Sequence, residues 1–413
     1  MKKPLEGIRV VEMGTYVAVP KAARMLADWG AEVIKVEAPS GDSWRVVGLS
    51  YNMPCEEDNC GFFQAPNAGK KGICLNLKSE KGKKIFDELL STADIFMTNT
   101  RPRPLSKLGI DYETLKEKYP RLIYGYFTAY GEKGPDVDKP GFDLAAFWAK
   151  SGALVQMTPA EISPPKPGPG FGDSAVASSF VAGMLAALIN REKTGLGDKV
   201  EVSLYSSGLF YNSETVLMGQ PQFENPYPKK RNESPSPTTP LYQSKDGDWF
   251  LVSQPKWDSG YKTLLSALKM DEYIDDPRFY PLTNARKHMG EVIDLITEAF
   301  SKLSSEELLK NLQEIDIVHA KLTNPRELYS DPQGWENKYL EEVTLRSGKK
   351  IVTPTNPVQF QNIEQTPARL APLLGEDTDS VLESLGYSKE EIETMAAEKV
   401  IVHRSPKVEE ALV

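Results

Sequence analysis

A chain of 413 residues is too long for one ordinary hydrophobic core, so two domains, or one large domain with an insertion, are expected. With 49 Lys+Arg against 58 Asp+Glu the net charge is -9, and no basic block stands out, which argues against nucleic acid or an anionic membrane as partner. Cys55, Cys60 and Cys74 form no zinc-type pair of pairs and the first residues lack the apolar core of a signal peptide; with no run read as long enough to span a bilayer, a soluble, cytoplasmic protein with reduced thiols and no metal is expected.

In chain order, residues 8–14 read as a strand, 21–29 as a helix with Pro20 at its first position and Gly30 at its stop, and 31–37 as a second, parallel strand. The turn after the first strand is Gly14-Thr15-Tyr16-Val17-Ala18-Val19-Pro20, which has no G-x-G-x-x-G, so a nicotinamide-type pyrophosphate clamp is not expected. The alternation continues with strands at 72–77, 94–97 and 121–127 and a helix at 79–91. Ligands bind beyond the carboxyl ends of such strands; Lys70, Lys71, Lys78 and Arg101 lie near strand ends as phosphate partners or as a solvated rim. A glycine-rich loop at 128–135 leads to Pro140-Gly141-Phe142-Asp143 and a helix at 144–150.

Gly170-Phe171-Gly172-Asp173-Ser174 heads a small-residue apolar run that reads as a buried helix ending near Gly195. The helix dipole would favour negative charge there, so Asp173 is expected to be ionised at neutral pH and able to act as nucleophile or base; the plainer reading of the same residue is an N-cap. A strand at 199–204 and a helix around 205–218 precede a polar, proline-rich stretch to Pro240 that reads as a linker. Beyond it come a strand at 249–253, helices near 259–268, 288–303 and 305–312, a helix opening at Pro325, strands around Val343 and at 351–352, and a last helix at 388–398.

These words in this order resemble the class III CoA-transferase family, the superfamily that also holds the alpha-methylacyl-CoA racemases. The likeness runs through Pro4 to Val10, Gly30 to Glu37 with Gly41, Asp42 and Arg45, Asn76 to Lys78, Pro140 to Asp143, Gly172-Asp173, Lys193 to Val200, Asp246 to Trp249 and Ala371 to Glu376. The resemblance implies an α/β fold, with a large Rossmann-like parallel-sheet domain, a smaller α+β domain and an interlocked homodimer. On that basis residues 1–204 are the first part of the large domain, 205–240 a linker, 241–330 the small domain, and 331–413 the return to the large domain.

The resemblance also implies that Asp173 attacks an acyl-CoA thioester, passing through an aspartyl anhydride and an aspartyl-CoA thioester. CoA contacts carry over to Val17, Ala18, Ala38, Leu75, Asn76, Leu77, Lys78, Asn99, Thr100, Arg101, Lys107, Lys139 and Phe142. CoA thioester is then a substrate and no permanent cofactor is implied. Ala38 stands where formyl-CoA members have arginine, Val17 where they have an active-site glutamine, and 232–240 where they have a mobile glycine loop, so a bulkier acid than oxalate or formate is expected. The nearest subgroup moves CoA onto (R)-2-hydroxy acids such as phenyllactate or 2-hydroxyisocaproate.

Two other functions are open from the sequence: a racemase, or a CoA-binding homologue without chemistry. Racemases carry histidine at the position of Phe142, and phenylalanine cannot move a proton. His288, His319 and His403 are distant in sequence from Asp173 and read as ordinary surface or core-edge residues.

Overall fold

The structure is a computed structural model that describes residues 3–55, 60–225, 227–363, 366–367 and 369–402; His403 lies outside them. The described strands are β1 (Arg9–Met13), β2 (Glu32–Glu37), β3 (Lys71–Leu75), β4 (Ile95–Thr98), β5 (Ile123–Thr128), β6 (Lys199–Ser203), β7 (Tyr242–Gln243), β8 (Trp249–Ser253), β9 (Val318–Lys321), β10 (Leu340–Thr344), β11 (Lys350–Pro354) and β12 (Ile401–Val402). The chain divides into two compact units, one of residues 1–151, 166–213 and 331–413, the other of 152–165 and 214–330.

In the first unit seven strands run in the order β12-β3-β2-β1-β4-β5-β6. All neighbours from β3 through β6 are parallel, and only the two-residue β12 is antiparallel, against Leu75 and Cys74 of β3. The strands are rich in apolar residues because both faces are covered: Val10, Val11, Ile34, Ile73, Leu75, Ile95, Phe96 and Ile123 are all buried, and Glu12 and Lys35 are buried among them. The helix Glu80–Ser91 illustrates how a crossover is built. Ser79 Oγ accepts from Gly82 N at 3.0 Å to cap it, and Ile85, Phe86, Leu89 and Leu90 form one buried stripe. Each such side chain contributes about 1.5–3 kcal/mol when taken fully from water.

Several elements differ from the sequence reading. The helix placed at 21–29 spans Ala18–Asp28, so Pro20 is its third residue, where its missing N–H still costs no intrahelical bond. The segment 144–150 is a wide π-turn, Leu144–Ala149, in which Lys150 N donates to Ala145 O at 3.0 Å. The Asp173 helix starts before the aspartate and runs 24 residues, Phe171–Thr194. It is long and apolar enough to cross a membrane, contrary to the expectation that no run was; in this fold it is a sheet-covering helix. Small residues let it lie close to the strands: a Cβ on Gly183 would sit 2.6 Å from Val200, and one on Gly125 would sit 2.8 Å from Met184.

The second unit holds the antiparallel sheet β7-β8-β9. Helices Trp257–Ala267, Met289–Lys302 and Ser305–Glu314 cover a core of Phe250, Trp257, Phe279 and Phe300, with Trp257 Nε1 donating to Phe279 O at 2.6 Å. The stretch 232–240 belongs to this unit. β9 and β7 are short and were not anticipated; the helix expected from Pro325 is a single 3₁₀ segment, Pro325–Ser330.

Candidate active site

The parallel order brings the residues singled out from sequence to one edge. Val17 and Ala18 follow β1, Ala38 follows β2, Leu75 ends β3 with Asn76, Leu77 and Lys78 after it, and Asn99, Thr100 and Arg101 follow β4. Lys107 lies on the next helix, Pro102–Leu108, and Lys139 and Phe142 lie in the long connection after β5. This is the carboxyl edge of the sheet, where crossovers leave a crevice.

Their side chains play different parts. Lys78, Arg101, Lys107, Lys139, Ala38 and Phe142 are exposed, whereas Leu75, Val17 and Ala18 are buried, so Leu75 can offer a ligand little but backbone. Asn99 holds the loop across the switch between β1 and β4: its Oδ1 accepts from Thr15 N at 3.1 Å and its Nδ2 donates to Thr15 O at 2.9 Å. Asn76 Oδ1 accepts from Lys78 N at 3.1 Å, shaping the turn after β3. Lys70, a phosphate-partner candidate in the sequence, is buried instead, donating to Glu12 at 2.6 Å, Pro20 O at 2.7 Å and Asn67 at 2.9 Å. Lys71 pairs with Glu32 at 2.6 Å.

Asp173 is the third residue of its helix, and the N-cap position belongs to Gly170 in the left-handed region at φ 73°. The capping role falls to Asp143, 29 residues before Gly172 in the same unit: its Oδ2 accepts from Gly172 N at 3.2 Å, and its Oδ1 is buried without a hydrogen-bond partner among the described residues. Among the described residues Asp173 itself has no ion pair and no side-chain hydrogen bond. Burial, then the charge of Asp143, raise the Asp173 carboxyl to about 7, while Lys21 pulls it the other way. The expectation of a fully ionised carboxylate is thereby corrected; desolvation and a like charge outweigh the helix terminus.

The neighbourhood is aromatic and apolar. Val17 packs with Trp44, Cys60, Phe63 and Ala371, and a Cβ on Gly170 would lie 3.3 Å from its methyls. Tyr16, at φ 65°, sets its ring 5.2 Å from Phe142 and 5.9 Å from Trp44. That strained backbone is held from below. Asp42 Oδ1 accepts from Tyr16 N at 3.2 Å and from Trp44 N at 3.0 Å, and Asp42 Oδ2 accepts from Lys35 Nζ at 3.1 Å. Lys35, wholly buried, also donates to Gly14 O at 2.8 Å and Glu12 at 3.2 Å. Burial works against the Lys35 ammonium, but Glu12, Asp42 and Glu37 together push it above the ordinary lysine value. Burial wins at Lys70, pulling it down to about 8 against Glu12.

Lys21, on the first turns of the helix after β1, donates to Ser174 Oγ at 3.0 Å, beside the aspartate. It was not singled out from sequence; the available signal was a cation, with Arg24 three residues on, in the otherwise apolar stretch between Val17 and Met25. Cys55 and Cys60 place their sulfurs 3.0 Å apart, and burial pushes the Cys60 thiol up to about 11. Among the described residues no cluster of His, Cys, Asp and Glu suits a metal ion. In the second unit His288 bonds Glu291 and His319 bonds Ile317 O, both local contacts.

A half-buried, unpaired carboxylate at a helix start, on the carboxyl edge of a parallel sheet with basic residues along the rim, defines an α/β enzyme suited to acyl transfer from a phosphate-bearing donor. Residues 5–378 match the profile of CoA-transferase family III; the chain belongs to that family and is a class III CoA-transferase. It is 36% identical over 400 residues, 96% of this chain and 99% of the relative, to the (R)-2-hydroxy-4-methylpentanoate CoA-transferase of Clostridioides difficile. It is 37% identical over 405 residues, 97% of this chain and 98% of the relative, to the cinnamoyl-CoA:phenyllactate CoA-transferase of Clostridium sporogenes. Among solved structures, a CAIB/BAIF family protein from Brucella suis superposes with TM-score 0.80 at 26% identity, covering 93% of this chain and 100% of that one.

Proposed function

We propose that this enzyme moves CoA from an acyl-CoA to a 2-hydroxy carboxylate of the size of (R)-phenyllactate or (R)-2-hydroxyisocaproate, through covalent intermediates on Asp173. The observation that carries the reading is Asp173 itself, desolvated yet unpaired. A carboxylate held so is costly to the fold and available to attack a thioester carbonyl. Attack would expel CoA thiolate and leave an acyl-aspartyl anhydride; the thiolate would return to the aspartyl carbon and release the first acid. The acceptor carboxylate would repeat the two steps in reverse order, so no net energy source is needed.

The names of the two similar transferases support this substrate class, as does the apolar wall of Val17, Tyr16, Trp44 and Phe142. The reading includes a cytoplasmic homodimer; the exposed apolar side chains of Phe210 and Ile189 are in keeping with the dimer. Its test is mass spectrometry of the Asp173 peptide after brief exposure to a 2-hydroxyacyl-CoA or enoyl-CoA without acceptor. A CoA or acyl adduct on Asp173, cleared by added acid, is expected. No adduct, with solvent deuterium entering the alpha position of the thioester, would overturn transfer in favour of a racemase.

A further inference from the structure

An acceptor acid arrives as an anion and must be held while it attacks a neutral aspartyl thioester. The cations buried near the β1 loop differ sharply in what they have left to give. Lys35 makes three hydrogen bonds, to Glu12, Gly14 O and Asp42. Lys70 also makes three, to Glu12, Pro20 O and Asn67. Arg45 is spent on Glu37 and Pro372 O, and Arg24 on Ala65 O, Pro354 O and Asp28. An ammonium has three donors, so Lys35 and Lys70 are saturated.

Lys21 is different. Its one hydrogen bond among the described residues goes to Ser174 Oγ at 3.0 Å, and that hydroxyl in turn donates to Gly170 O at 2.6 Å. The chain Lys21–Ser174–Gly170 ties the ammonium to the first turn of the nucleophile helix and leaves two N–H donors unused. The charged groups that face Lys21 are Arg24 and Asp173, and those that face Asp173 are Asp143 and Lys21. Lys21 is half-buried, so its charge is screened less than that of a fully exposed lysine.

We propose that Lys21 is the carboxylate-binding residue for the acceptor acid, its ammonium pairing with the acid's carboxylate at the mouth of the Asp173 site. This rests on the covalent reading of Asp173. In the step concerned, a carboxylate oxygen of the acid adds to the aspartyl carbonyl carbon, the carbon–sulfur bond breaks, and CoA leaves as thiolate. The thiolate then adds to the acid's own carbonyl carbon, the bond from that carbon to the Asp173 oxygen breaks, and the Asp173 carboxylate is restored. One anion enters and one is regenerated, so Lys21 keeps its proton throughout and serves by charge and hydrogen bonding alone.

The experiment compares the wild type, Lys21→Met and Lys21→Arg in two half-reactions followed by intact-protein mass. Adduct formation from acyl-CoA needs no acceptor; adduct clearance is measured against phenyllactate concentration. For Lys21→Met, measured at a pH above the Asp173 midpoint of both proteins so that ionisation of the nucleophile does not enter, formation within a few fold of wild type is expected, with the half-saturating acid raised roughly 10- to 100-fold, the range for losing a charged hydrogen bond. Lys21→Arg should recover most of that loss. An unchanged half-saturating acid in Lys21→Met, or an equal slowing of formation and clearance, would overturn the proposal while leaving the Asp173 reading intact. Absence of adduct in the wild type would overturn both.

Discussion

The carboxylate of Asp143 lies so close under Gly172 that a methyl group at position 172 would sit 2.1 Å from Asp143 Oδ1 and 2.6 Å from the Phe147 ring. Both neighbours are buried, and Asp143 is fixed by the amide it caps, so neither can give way cheaply. Gly172→Ala should displace the first turn of the helix and the next residue, Asp173, with it. A misplacement on the order of 1 Å costs about 100-fold in rate. The expected outcome is a folded protein, by circular dichroism, whose rate of Asp173 adduct formation falls by about that factor.

Asp173→Asn should abolish transfer and stabilise the protein. The sign follows from linkage: the folded carboxyl titrates at about 7 against an ordinary 3.8, so the folded state holds its proton more tightly than the unfolded chain. The favourable contribution is complete below the unfolded value and is lost as pH rises through 7. At pH 8 the wild type therefore carries the cost of a desolvated charge that asparagine lacks. Urea unfolding should show the variant more stable by roughly 1–3 kcal/mol at pH 8, with the difference gone near pH 3.5. A variant less stable than wild type at pH 8 would contradict the electrostatic account of the site.

The same ionisation governs rate. Only the carboxylate is nucleophilic, so kcat/KM for the acyl-CoA should rise with pH through a midpoint near 7. Lys21 pulls the Asp173 carboxyl down, so its removal in Lys21→Met should move that midpoint upward, and Lys21→Arg should leave it nearly in place. A pH profile of single-turnover adduct formation reads this directly.

How much of this was visible beforehand depends on the range of the interactions. Residues 8–37 could be read as strand, helix and strand because the signals are local: apolar runs, a glycine stop, a proline near the helix start. The family words found Asp173 in the same way, since they lie in linear order. What could not be read was the part made by distant pairs. Lys70 and Glu12 are 58 residues apart and Lys35 and Glu12 are 23 apart, so neither pair was legible, and Lys70 taken alone reads as a phosphate partner or a solvated rim. Asp143 could not be recognised as the cap of the Asp173 helix, because Gly170 takes the local cap position by adopting a left-handed backbone that sequence does not announce. β12 has two residues and no pattern of its own; it exists because β3 offers a free edge.

That buried charge chain makes the last prediction. Glu12 bridges Lys70 at 2.6 Å and Lys35 at 3.2 Å, and Lys35 passes to Asp42, which holds Tyr16 N. Removing one partner leaves the others charged and dry, which costs roughly 3–5 kcal/mol, whereas neutralising a pair together costs much less. Lys35→Met should therefore lower the urea midpoint strongly, and Lys35→Met with Asp42→Asn should recover part of the loss, since asparagine keeps an oxygen for the Tyr16 and Trp44 amides. If the chain also positions the acid pocket, the double variant will fold yet bind the acceptor less selectively, because Tyr16 loses the ion pair beneath its strained backbone. Selectivity between phenyllactate and acetate in the double variant, measured as a ratio of kcat/KM, separates that positioning role from stability alone.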